Sequence, residues 1–366
     1  MNRQAAKISS QELNRALLAR QMLLSRSDMP VLNVLEWFIG LQAQAPHAPY
    51  YSLWTRLEGF DQAQLSALIS ERQAVRIALM RSTLHLVSAK DCLLIRPWVQ
   101  TVHERAHKAA FGKRLAGVDL EAVIAEGRKL VEEQPRTFSE LGKLLAESRP
   151  GIDPEALATA VRTYVPLIQI PPRGLWGESG QATHTTVNLW LGQPLAEQPD
   201  ADRLILRYLA AYGPATVKDM QAWSGLTRLK EYFERLRPQL ITFQDEHGNE
   251  LFDVPDAPRP DAGVDPPARF LGEFDQMLLG IADRSRIMDH TYAKRIFTAN
   301  GILRSTILLN GYIEGIWSIV RDRRKAALIV DPFRALTKEE QHELTQEGQK
   351  LLEFAAEGFD HEIRFN

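Results

Sequence analysis

A single cysteine, Cys92, stands in 366 residues, which excludes an internal disulfide and any cysteine-based metal cluster. No HExxH run and no glycine-rich phosphate loop occurs, so two of the most familiar local signatures of hydrolytic metal and nucleotide chemistry are missing. No apolar stretch approaches the ~20 residues of a membrane helix. The start, Met1-Asn2-Arg3-Gln4, lacks a secretory apolar core, and the chain is expected in the cytoplasm without a membrane partner. The nine histidines show no metal-ligand spacing. His103 and His107 lie four apart on an expected helix but have no third ligand, and they read as a solvated or DNA-facing pair. No metal and no cofactor is expected. What is present is ordinary globular composition, 45% hydrophobic and 25% charged, in a chain long enough for roughly two to four domains.

The net charge of −2 conceals a polarised distribution. Residues 1–118 carry 15 Lys and Arg against 8 Asp and Glu, whereas residues 119–200 carry 7 against 12. A second basic block runs from Arg284 to Lys325. Two separated basic regions on a near-neutral protein suit a concave surface that grips a phosphate backbone locally. The alternative is a solvated surface of uneven charge.

One unit recurs along the chain, and the expected class is α+β. In residues 201–254 a helix Ala201 to Ala211 meets the breaker Gly213-Pro214, Thr216 caps a short helix through Trp223, and a longer helix runs to Arg237. Leu240-Ile241-Thr242-Phe243 and Glu250 to Val254 flank His247-Gly248-Asn249 as a hairpin. Three helices followed by a hairpin describe a winged helix. Residues 119–200 repeat the order, with Thr137 and Glu140 as a capping box. Residues 1–118 hold a third copy, with helices at Gln11 to Leu24, Val31 to Leu41, Pro49 to Leu57 and Gln62 to Glu71 and a hairpin over 75–87. Residues 255–267, rich in proline, read as a linker. Residues 268–366 read as a small β-rich module in which Asn310-Gly311 marks a hairpin, closed by the helix Lys338 to Ala356. Trp37, Trp54, Trp98 and Trp223 fall on apolar helical faces and read as core.

The stretch that carries chemistry is Leu41-Gln42-Ala43-Gln44-Ala45-Pro46. Two glutamines flank one small residue where an apolar helical run ends and the chain turns extended, so both can point into one cavity. A glutamine offers a carbonyl acceptor and an NH2 donor without charge, and a pair can hold a water or a polar substrate without acting as a strong base. From the residues alone, both amides could instead cap the helix end.

With Pro49-Tyr50-Tyr51-Ser52-Leu53-Trp54-Thr55-Arg56-Leu57 following, that stretch resembles the tandem winged-helix DNA glycosylase family that includes an azinomycin-resistance member. Met80-Arg81-Ser82-Thr83-Leu84-His85-Leu86-Val87 is similar to the family's Arg-Gly-Thr-x-His segment, with Ser82 where glycine is usual. Phe274-Asp275, Asp283-Arg284-Ser285-Arg286 and Asn310-Gly311-Tyr312-Ile313-Glu314-Gly315-Ile316-Trp317 resemble its C-terminal signature. The resemblance spans nearly the whole chain in order. It implies removal of alkylated purines from DNA and, in the Gln-x-Gln rather than the Gln-x-Asp branch, unhooking of interstrand crosslinks joined through guanine N7.

The expected substrate is therefore double-stranded DNA carrying alkylated purines, met by a monomer. Gln42 and Gln44 are the expected catalytic pair, Gln44 holding the attacking water and Gln42 orienting it or contacting sugar and phosphate. Arg81, Thr83, His85, Arg284 and Arg286 are expected on DNA, with Asp275 as pocket support in a scaffold shared with Arg284 and Arg286. Hydrolysis without strand cleavage is expected, since no lysine stands out as a nucleophile. A crosslinked base stays tethered to the other strand, so an open cleft suits it better than a closed base-flipping pocket. The rival class is a winged-helix DNA-binding protein without chemistry, a transcriptional regulator or a damage sensor.

Overall fold

The computed structural model describes residues 6–366, and its helix starts are written into the sequence by short polar side chains. Ser9, Asp61, Thr137, Thr216 and Thr337 cap helices, while Glu12, Gln64, Glu140, Asp219 and Glu340 bond back to the cap residue's N–H. Each box satisfies donors that a helix start leaves without partners.

From these starts one element order occurs three times: helix, short strand, two helices, hairpin. The first set is Val31–Trp37, Leu41–Gln42, Ala48–Trp54, Gln62–Ser70, then Ala74–Ala78 with Leu84–Ser88. The second is Leu120–Glu133, Arg136–Thr137, Phe138–Glu147, Pro154–Tyr164, then Leu167–Gln169 with Thr183–Thr186. The third is Ala201–Tyr212, a bridge at Ala215, Val217–Ser224, Lys230–Leu236, then Ile241–Gln244 with Glu250–Asp253. Each short strand pairs with the second strand of its own hairpin. The first two hairpins also pair with each other, Arg76 opposite Gln169 and Ile77 opposite Ile168, so six strands form one sheet across two repeats. That junction leaves neither inner strand as an open edge.

The helix Ser10–Arg20, expected within the first repeat, packs instead on Ala201–Tyr212. Ala6–Lys7 extends the third hairpin as a parallel strand. Two buried arginines tie this helix down, Arg20 to the third repeat and Arg15 to the C-terminal hairpin. Arg20 makes a bidentate pair with Asp253 at 2.7 and 2.8 Å, and Arg15 donates to the Asn310 side chain at 2.7 Å. The expected linker is not a free tether. Its carbonyls at Val264 and Pro258 accept from Arg15 and Arg20, and Arg259 pairs with Asp253.

The C-terminal part is a five-stranded sheet in chain order, Arg269–Leu271, Thr306–Leu309, Tyr312–Asp322, Lys325–Pro332 and Asp360–Phe365. Asn310 and Gly311 both take left-handed backbone, φ 48° and 81°, the conformation that a two-residue hairpin loop demands. The helix Lys338–Ala355 does not close the module as expected. The strand Asp360–Phe365 follows it and pairs in parallel with Lys325–Pro332. Its exposed charged residues Asp360, Glu362 and Arg364 alternate with half-buried His361, Ile363 and Phe365, so only two apolar residues mark the strand in sequence. No helix among the described residues is long and apolar enough to cross a membrane.

Candidate active site

The two glutamines do not end a helix. The helix Val31–Trp37 stops early because Ile39 and Gly40 take φ of 58° and 94°, and the chain then enters the strand Leu41–Gln42. A Cβ on Gly40 would lie 2.3 Å from Val87 Cγ1, so only glycine lets the strand approach Leu84–Ser88. Gln42 then faces His85 across the pair. On extended backbone, residues two apart share a face. Ala43 points to the other side and is buried, with its N–H on the Leu84 carbonyl and its own carbonyl accepting from Arg76 at 2.8 Å.

A directed line of hydrogen bonds runs through the pair. The Arg81 guanidinium donates through one nitrogen to the Trp223 carbonyl and through the other to Gln42 Oε1 at 2.6 Å. Gln42 Nε2 donates to Gln44 Oε1 at 2.5 Å. Arginine has no acceptor, so it fixes which end of the Gln42 amide faces it, and Gln42 in turn fixes Gln44. Gln42 is 5% exposed and Gln44 is exposed, so the amide that reaches solvent presents its NH2 group.

Arg81 is held in place by an uncommon turn. It and Ser82 both take left-handed backbone, φ 54° and 59°, between the hairpin strands. Two such residues without glycine cost on the order of 1–2 kcal/mol each, and glycine at the second is the conformationally easy choice. Ser82 adds a hydrogen bond instead, Oγ to His103 Nδ1 at 3.0 Å. The turn abuts Gly225 of the third repeat, where a Cβ would sit 3.1 Å from Arg81 Cα.

The other expected site residues divide. Thr83 Oγ1 donates to the Met80 carbonyl, and the Thr83 carbonyl accepts from His85 Nδ1 at 2.9 Å. Burial, helped by the charge of Arg81, pushes the His85 pKa down to about 3, so its ring is neutral. Asp275 does not pair with Arg284 or Arg286. It makes a bidentate ion pair with Arg56, 2.7 Å on each side with both side chains 0% exposed. Arg284 is half-buried, donates to the Leu278 carbonyl at 2.6 Å and lies over Phe297. Arg286 is buried and donates to the Pro214 carbonyl at 3.0 Å. The scaffold expected of these three is therefore absent. Arg286 is buried and Arg81 is half-buried, and in this structure the Arg81 guanidinium is occupied by Trp223 and Gln42 and that of Arg286 by Pro214.

His103 and His107 are also buried, not solvated, and among the described residues no cluster of acidic, histidine or cysteine side chains could hold a metal ion. The basic excess of residues 1–118 shrinks in the same way, because Arg15, Arg20, Arg56, Arg76 and Arg96 are all within the core. Exposed positive charge gathers instead at Arg323, Arg324 and Lys325, on the tip of the longest hairpin.

The buried imidazoles have a consequence for stability. Burial lowers the pKa of His85 and His103 to about 3 and of His184 to about 4, from 6.5. Below pH 6.5 the unfolded chain binds protons that the fold refuses. Stability is then complete above about pH 6.5 and falls as pH drops toward 4, by about 1.4 kcal/mol per histidine per pH unit. Denaturant midpoints taken between pH 7.5 and pH 4.5 measure this, and a flat profile would contradict neutral burial.

Three comparisons set the chain beside known proteins. The model of the family described as DNA glycosylase AlkZ-like matches residues 35–354. The chain is 24% identical over 376 aligned positions to the interstrand DNA cross-link repair glycosylase of Streptomyces sahachiroi, covering 92% of this chain and 95% of that protein. The solved structure of the Streptomyces sahachiroi DNA glycosylase AlkZ aligns with a TM-score of 0.78 at 19% identity, over 98% of this chain and 100% of that one, a likeness of fold.

Proposed function

Because the chain belongs to the AlkZ-like DNA glycosylase family, we propose that it hydrolyses the N-glycosidic bond of cationic alkylated purines, as monoadducts and as interstrand crosslinks, without cutting the strand. It is a DNA repair glycosylase, and DNA is its substrate. The three repeats are read as winged helices that wall the duplex, acting as a monomer in the cytoplasm.

The observation that supports the chemistry is the line from Arg81 through Gln42 to Gln44. Alkylation at N7 puts positive charge on the purine, so the base leaves as a neutral molecule and needs no strong acid. What remains is to place a water and to stabilise a sugar that develops oxocarbenium character. Gln44 Nε2 donates to the water oxygen, whose free lone pair attacks C1′ as the bond to the purine nitrogen breaks with its electrons going to the base. The water's proton passes to solvent. Gln42, nearly enclosed, acts through Gln44 and holds its donor outward.

Substrate choice tests the reading. Duplexes containing N7-methylguanine or N3-methyladenine should release the free base, whereas uracil and 8-oxoguanine should stay in place, because a neutral base leaves poorly without an acid. Efficient release of either neutral base would overturn the mechanism. No release of any base, with tight binding to one palindrome, would favour the regulator.

A further inference from the structure

A cavity of about 710 Å³ is lined on one side by Ala45, Pro46 and His47, the residues that follow Gln44 in the chain, and on the other by the C-terminal sheet. Its volume is that of a small-molecule site. Resting on the glycosylase reading above, we infer that this cavity seats the alkylated purine and that Glu273 recognises its positive charge.

Glu273 lines the cavity, is half-buried, and makes no ion pair or side-chain hydrogen bond among the described residues. Burial pushes its carboxyl pKa up, as expected of an acid drawn into the wall without a cation to balance it. None of the cavity's basic side chains forms an ion pair with Glu273, and Arg304 among them is exposed to solvent. Arg321 donates to the Ala355 carbonyl at 2.6 Å, and burial together with the charges of Arg321 and Arg76 lowers the His47 pKa. Asp331, the other acid in the lining, already pairs with Arg295 at 3.2 Å. Among the described residues Glu273 is thus the side-chain acid of this cavity without an ion-pair partner, free for a cation that arrives from outside.

The walls suit a flat ring. Trp317 is fixed by its Nε1 donating to the Leu271 carbonyl at 2.8 Å, and Tyr51 meets it edge-on with ring centroids 5.5 Å apart. A cationic purine gains from an aromatic face as well as from the carboxylate. Arg304, exposed and without a side-chain partner among the described residues, stands at the same cavity, where a phosphate flanking the lesion would meet it. One side of the cavity is open to solvent, so a crosslinked purine can enter while its tether leads out.

The test compares two duplexes that cannot be processed: one with 2′-fluoro-N7-methylguanine, which is cationic, and one with 7-methyl-7-deazaguanine, its neutral isostere. The wild type should bind the cationic duplex about tenfold more tightly, as a charged contact in a partly buried site would give. Glu273→Gln should abolish that preference, leave binding to the neutral duplex and the melting temperature unchanged, and slow single-turnover release of N7-methylguanine about tenfold. Glu273→Asp should restore part of the preference. If the wild type releases N7-methylguanine but Glu273→Gln keeps both preference and rate, the inference fails and the glycosylase reading stands. Equal weakening on both duplexes would make Glu273 merely structural and also overturn it. A wild type that releases nothing would remove the reading on which the inference rests.

Discussion

Replacing Gln44 with Ala should lower single-turnover release of N7-methylguanine on the order of a hundredfold or more, since orientation and aimed donors supply contributions of that size. DNA affinity and thermal stability should hardly change, because Gln44 is exposed and its one side-chain partner is Gln42. Gln42→Ala should be as damaging to the rate but not as clean. It deprives the half-buried Arg81 of an acceptor and should cost about 1–3 kcal/mol of stability as well. Gln44→Asp is the more discriminating change. A carboxylate oxygen accepts from Gln42 as the amide carbonyl does, and its second oxygen can hold the water by accepting from its O–H in place of the amide donation, so monoadduct release should persist at an appreciable level. Position 42 has no such latitude, since it must accept from Arg81 and donate to residue 44 at once. The line of bonds thereby gives a physical reason why the resembling family carries either Gln or Asp at the second position of the motif and Gln at the first. An unchanged rate in the double Ala variant would remove the pair from the mechanism.

The largest effect on stability is expected at Asp275. Its carboxylate caps the short helix Gln276–Leu279, accepting from the Met277 N–H, and pairs with Arg56 in a setting with no solvent. Asp275→Ala leaves the Arg56 guanidinium buried and unpaired, which should cost about 3–5 kcal/mol. Arg56 lies just past the helix Ala48–Trp54, and that helix follows the glutamines, so this pair joins the C-terminal module to the site. The expected pattern is a large fall in denaturation midpoint with the rate per folded molecule retained at low temperature. A loss below about 1 kcal/mol would mean that the buried pair contributes little to the assembly.

How far the sequence carried the reading depends on the range of each interaction. Local rules were legible: the Thr137 and Glu140 capping box, the Thr216 cap and the Asn310-Gly311 hairpin all stand where their spacing placed them. The adjacency of the two glutamine side chains was legible too, although for another reason. The apolar run through Leu41 reads as helix, whereas Gly40 is needed for a close approach to Val87, a constraint set 47 residues away. Partners distant in sequence left no mark. Nothing near Asp275 points to Arg56, and nothing near Arg76 points to Gln169, to which its Nε donates at 2.9 Å. Charge was the most misleading signal, because the count of basic residues does not tell arginines that meet DNA from those that satisfy carbonyls and carboxylates in the core. Glu273 and Arg304 went unnoticed for the converse reason. Each is an ordinary charged residue in sequence, and only the cavity that Ala45, Pro46 and His47 line sets them apart.

The most direct measurement is a single-turnover time course on one duplex with a single N7-methylguanine, run with wild type and Gln44→Ala and read with and without alkali. The account predicts that wild type yields free N7-methylguanine and a strand that breaks only after alkali, while the variant binds equally well and yields neither. Strand breakage by the wild type without alkali, or equal release by both proteins, would contradict it.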